Sequence, residues 1–429
     1  LIRGSAIRNP RRHQTGYFLD SGFRRNDVRL VVVALAATVA ACAAVPEPPD
    51  APEKHDRNAM WQKSLARPPL AVSAVFDARG RLWLARAEGG HVLVAASEDR
   101  GASFSAPVRV NPEPELIAAD GENRPKLAFG RSGELYVSWT QSLETPFAGH
   151  VRFARSLDGG KTFSAPITVN SDRAPISHRF DALIVDGAGR VHVLWLDRRD
   201  KAAADRAGSE FAGISLYTAV SEDGGASFGP NRRLAEHSCE CCRIALTNDT
   251  DGTPVALWRA VFGRNIRDHA LLRLDGSSAM TRLPEDHWAM DACPHHGPSL
   301  SIAPDGTWHA TWFTGDAGRA GLYYARSADR GRSFSTPLAF GDNDAQAAHP
   351  SVIARGQTVA LAWKEFDGTN TQVRVMLSTD GGRSWSTPRM LATTTDRSDH
   401  PQLVADGKQV YLAWNSAREG FRLVAVETP

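Results

Sequence analysis

The chain has 429 residues, 42% of them hydrophobic and 23% charged. These proportions fit a folded globular protein and exclude a disordered chain, a collagen and a bundle of membrane spans. The formal charge of +2 misleads: the first 41 residues hold seven Arg and two Asp, and the rest carries about −3, without the basic excess that a nucleic-acid binder keeps.

Residues 30–41, LVVVALAATVAA, form an apolar run of twelve with Arg24, Arg25 and Arg29 ahead of it. The run is too short to span a bilayer and suits the core of a secretory signal. It ends in Val39-Ala40-Ala41-Cys42, which resembles the lipobox of bacterial lipoproteins, in which the cysteine is lipidated and becomes the mature amino terminus. The alternative is a plain signal peptide with an incidental cysteine. Ala43 after Cys42 implies, by the same resemblance, sorting to the outer membrane, so an exported, lipid-anchored protein, periplasmic or at the cell surface, is expected. Initiation near Val28 is expected as well. Residues 42–57 are Pro-rich and charged and read as a stiff tether.

A repeat organises the remainder. Five octapeptides follow Ser-x-Asp-x-Gly-x-x-Phe/Trp: residues 97–104, 156–163, 221–228, 327–334 and 378–385. A sixth, degenerate copy keeps Asp275 but replaces the Ser and the aromatic with Arg273 and Met280. Interleaved with these are alternating apolar strands ending at Trp139, Trp195, Trp258, Trp312, Trp363 and Trp414, spaced 51 to 63 residues apart, and an earlier copy has Arg86 in the Trp place. A period near fifty residues, filled by several short alternating strands, predicts an all-β fold, a β-propeller of four-stranded blades. Seven blades are favoured and six are the alternative, over residues 58–429 as one domain. In each blade an inner strand leads to the Trp strand, a third strand enters the octapeptide and a fourth leaves it. Pro107, Pro166, Pro230, Pro337 and Pro388 open the fourth strands, where an edge tolerates a missing N–H. The last unit holds only three strands, and residues 58–66 are expected to supply the fourth.

The octapeptides are similar to Asp boxes, also called BNR repeats, so the chain resembles the sialidase-like β-propeller superfamily, as a bacterial exported lipoprotein member. The resemblance implies that the boxes are structural and lie away from the active face, so they speak for fold and not for activity. It also implies, for a true sialidase, three arginines on a substrate carboxylate, a Tyr nucleophile assisted by Glu, an Asp acid/base and a Phe/Tyr-Arg-Ile-Pro motif. That motif is absent; Arg124-Pro125 and Arg243-Ile244 come nearest to it.

Propellers bind ligands where the chain enters each inner strand. Aligning the units on Leu127, Leu183, Leu246, Leu300, Val352 and Leu403 places Glu122, Arg124, His178, Arg179, Cys241, Cys242, Arg243, His295, His296, His349 and His400 around one rim. Arg124, Arg179, Arg243, His349 and His400 are candidate ligands for a carboxylate or phosphate; the competing reading is that they bond loop carbonyls and rim carboxylates. Glu122, Asp120 and Asp399 are candidate acid/base groups of a glycosidase, with Tyr324 as candidate nucleophile. Cys239-Glu240-Cys241-Cys242 aligns with Cys293-Pro294-His295-His296. Disulfides, with Cys293 joining one of the triplet, a Zn²⁺ or copper site built from Cys239, Cys241, Cys242, Cys293, His295 and His296, and thiol redox chemistry are the three readings of this pair. The charged segment 196–213 reads as a lid or specificity loop, or else as a solvated insertion.

Two functions remain open. One is a sialidase-like propeller that binds, or hydrolyses, an acidic glycan or another small anion; the other is a metal-binding or scaffold propeller of the cell envelope. Either is expected to act as a monomer, with its lipid anchor in the membrane and no nucleic acid as partner.

Overall fold

In the computed structural model, residues 68–427 are described, apart from 277 and 285. The signal run, Cys42, the tether and residues 58–66 lie outside the described residues. Among the described residues are twenty-seven strands, β1 to β27 in chain order, gathered into seven antiparallel sheets. Six sheets have four strands in sequential order and the seventh has three. The protein is a seven-bladed β-propeller.

The second blade shows how sequence becomes sheet. It comprises β5 (Lys126–Phe129), β6 (Leu135–Ser142), β7 (Gly149–Ser156) and β8 (Ile167–Thr168). In β6 the two-residue period puts Leu135, Val137 and Trp139 on one face and Tyr136 on the other. The first face packs on Trp83 and Ala85 of the preceding blade, while Tyr136 packs with Val191 and Trp195 of the next. A propeller sheet is thus buried on both faces, which explains why these strands are apolar almost throughout. The six repeat tryptophans are at most 1% exposed, and removing such a ring from a core costs about 3–5 kcal/mol.

The octapeptides close the outer hairpins. In the first, Ser97 Oγ donates to Asp99 Oδ1 at 2.8 Å and accepts from the Gly101 N–H at 2.7 Å, while the Ser103 N–H donates to Asp99 Oδ1 at 2.8 Å. The same Ser-to-Asp bond recurs at Asp158, Asp223, Asp329 and Asp380. The residue after each Asp takes the left-handed conformation, with φ 58 at Arg100 and φ 59 at Arg330, where the other boxes have glycine. In the degenerate copy Asp275 still accepts from the Ser278 N–H at 2.8 Å, so the turn survives without its serine.

The inner strands form the ring: β1 (Val72–Phe76), β5, β9 (His178–Val185), β13 (Ala245–Asn248), β17 (Ser299–Ile302), β21 (Ala348–Arg355) and β25 (Gln402–Ala405). Closure brings β1 against β25. The Val72 N–H donates to Asp399 Oδ2 at 3.0 Å, and Gln402 pairs both ways with the backbone of Ala74, at 3.0 and 3.1 Å.

The segment expected as a lid loop holds a helix, α1 (Arg199–Ala207). Its Ala-rich centre favours helix, Asp197 accepts the Arg199 N–H at 2.9 Å, and Gly208, φ 66, caps the far end. Asp200 ties the helix to the sheet through Ser215 and Tyr217.

Candidate functional site

The residues just ahead of the inner strands converge on the propeller axis. Two entrances carry β-bulges, one near Phe180 and one between Ala348 and Ser351. There Phe180 and His349 adopt left-handed backbone, φ 57 and φ 54. A bulge re-aims the chain, and at the second one it turns the His349 ring inward.

Glu122 is the centre. It is 3% exposed and accepts from the Arg243 N–H at 3.0 Å, the Gly297 N–H at 2.9 Å, Arg243 Nη1 at 3.0 Å and His349 Nδ1 at 3.1 Å. His400 Nδ1 stands 3.4 Å from the same carboxylate. Burial pushes its pKa up, but the Arg243 guanidinium and the two imidazoles hold it well below the ordinary range. The imidazoles form a column: His400 stacks on His349 at 3.4 Å, His349 on His296 at 4.6 Å, and His296 on Phe313 at 4.2 Å. Burial lowers the pKa of all three, that of His296 to about 3. Gly121, φ +90, makes room, since a Cβ there would stand 2.7 Å from the His400 ring.

The arginines are engaged by the protein itself. Arg124 grips Asp399 through both terminal nitrogens, at 2.9 and 2.8 Å, and Arg243 also donates to the carbonyls of Pro298 and Pro350. Arg179 reaches Asp120 at 3.4 Å. The expected rim of Arg, His and carboxylate is therefore brought together, with Arg124 and Arg243 bonded as in the competing reading of internal pairing.

Beside the column, between the last, first and second blades, opens a cavity of about 720 Å³. Asp120, Arg179, Lys364, Arg397, Asp399 and His400 are among its walls. Four lining carboxylates have a guanidinium each: Asp399 with Arg124, Asp120 with Arg179, Glu115 with Arg152 and Glu88 with Arg86. Lys364 and Arg397 add positive charge beyond these pairs.

Tyr324 is not at this rim. It lies on β19 (Gly321–Ser327), bonds His309 Nδ1 at 2.7 Å and packs on Trp385 of the last octapeptide. Burial raises its phenol pKa. As a nucleophile for chemistry at Glu122 or Asp120 it is misplaced, because its side chain points to the Asp-box end of its strand.

The cysteine and histidine segments separate. Cys239, Cys241 and Cys242 are buried with their sulfurs within 4.8 Å of one another, and the Cys293 thiol adjoins that of Cys241. Cys239 Sγ is 3.9 Å from both Cys241 Sγ and Cys242 Sγ. The four are free thiols, so the expected disulfide from Cys293 is not formed: Cys239 lies between two partners at non-bonded distance. His296 belongs to the histidine column, and His295 is exposed on the surface with φ 53. The grouping of Glu122 with His349 and His400 was not anticipated as a unit; their matching positions ahead of inner strands were its signal.

No family model and no curated protein sequence matches the chain. Among solved structures it is similar to an ulvan lyase, a polysaccharide lyase, at 11% identity and TM-score 0.55, covering 84% of this chain and 94% of that one. The structure of an ulvan lyase bound to -[GlcA(1-4)Rha3S]- matches at 11% identity and TM-score 0.54, with the same coverage. A Hadza microbial sialidase aligns at 16% identity and TM-score 0.47 over 79% of this chain and 74% of that one. The fold is thus shared with these ulvan lyases.

Proposed function

We propose that the chain binds an acidic carbohydrate in the cavity beside the histidine column. The observation that carries this reading is the charge around the cavity: each lining carboxylate named above has a guanidinium partner, with Arg124, Arg152 and Arg86 set behind the walls, and Lys364, which also donates to the Ser398 carbonyl at 3.4 Å, and Arg397 line it beside these pairs. Asp120, whose side chain is half exposed, is the group placed to exchange a proton with a bound sugar, and hydrolysis of the exo-sialidase type is the activity to be sought there. Glu122 is held as an anion and serves the architecture. The structure of an ulvan lyase of this fold bound to -[GlcA(1-4)Rha3S]- supports the reading. Export and lipidation at Cys42, with outer-membrane anchoring, belong to the same proposal and rest on the amino-terminal sequence.

The test is calorimetric titration with sialyl and uronic-acid oligosaccharides, alongside a fluorogenic sialoside assay. Arg397 is exposed, so Arg397→Ala keeps the fold; it should weaken binding about tenfold or more, the worth of one charge-assisted hydrogen bond. Wild-type protein that binds no acidic glycan would refute the proposal.

A further inference from the structure

The thiol cluster plays no part in glycan binding, and its geometry is specific. A disulfide brings sulfurs to about 2.05 Å. Sulfurs about 2.3 Å from a central tetrahedral ion lie about 3.8 Å apart. The two distances from Cys239, 3.9 Å each, are those of a metal cage. We propose that Cys239, Cys241, Cys242 and Cys293 together hold one soft metal ion, Zn²⁺ or Cu⁺.

Three further observations support this. Arg267 Nη1 donates to Cys239 Sγ at 3.2 Å, as a guanidinium does to a ligating thiolate. Arg259, 1% exposed, donates to the carbonyls of Arg267, His296 and Phe313 and places a second cation beside the sulfurs. Four thiolates around a divalent ion leave a net charge of about −2, which these two arginines offset. The nearby imidazoles are directed elsewhere, His296 into the stack and His295 to the surface. The donor set is therefore all sulfur, which selects soft cations over Mg²⁺ or Ca²⁺. Cys239, Cys241 and Cys242 precede β13 and Cys293 precedes β17, so one ion would bridge the entrances of neighbouring blades.

The experiment uses the mature protein purified under reducing conditions with Zn²⁺ or Cu⁺ supplied, measured by elemental analysis and thiol titration with and without a chelator. The expected result is one equivalent of metal, four thiols that react only after chelation, and thiolate-to-metal charge-transfer absorption on Co²⁺ substitution. A bathocuproine competition arm separates Cu⁺ from Zn²⁺. Cys293→Ser, at an exposed position, should fold normally and weaken metal binding about tenfold or more; Cys241→Ser should abolish it. Folded wild-type protein that takes up none of Zn²⁺, Co²⁺ or Cu⁺, or a mass map showing the four cysteines as two disulfides, overturns the inference.

Discussion

The Glu122 carboxylate gathers a guanidinium and two imidazoles in a buried site, and its charge survives because donors surround it. Glu122→Gln would leave the Arg243 guanidinium facing a neutral amide. Breaking a buried pair in this way costs about 3–5 kcal/mol, read as a fall in the urea midpoint at unchanged slope. This corrects the chemical role expected from sequence. Position ahead of an inner strand marked Glu122 and Arg243 as rim residues, and they are. It could not reveal that each is the other's partner, because 121 residues separate them and the contact exists only once the ring has closed. The thiols repeat the lesson: spacing suggested six metal ligands, but ring stacking, a tertiary preference, took His296 away from the sulfurs.

At the scale of elements, the octapeptides were the most legible part of the chain, since their bonds run between residues two to four apart. The bonds from Ser103 and Ser97 lower the Asp99 pKa to about 2, and those from Ser333 and Ser327 do the same for Asp329. An unfolded aspartate titrates near about 3.9. A depressed folded value stabilises the protein fully above the unfolded pKa, and the contribution is lost as the pH falls through the folded one. Acid unfolding followed by tryptophan fluorescence should therefore set in between about pH 4 and pH 2, and Asp99→Asn combined with Asp329→Asn should reduce the steepness of that loss while lowering stability at neutral pH. Helix α1 replaces part of the loop expected over 196–213, because the Ala run favours helix more than the flanking charges oppose it and Gly208 supplies the stop.

For the molecule as a whole, the repeat period foretold the seven blades, and the three-stranded last unit was visible in the chain. The means of closure was not, because Gln402 and Ala74 are 328 residues apart and neither carries a repeat signature. Gln402→Ala removes both bonds from the seam between the last and first blades. It should cost about 1–3 kcal/mol, with calorimetry still showing one transition, since every blade keeps packed neighbours on two sides. Two resolved transitions would show that the seam is the weak joint. Yet the blades are not joined only edge to edge. Glu122, Arg243, Gly297, His349 and His400 come from the entrances of five blades and are knotted at the centre. A wheel whose spokes meet at a hub keeps its shape when one joint of the rim loosens. The same hub sets groups of five entrances against one another, so the cavity lined by His400 opens to one side of that knot.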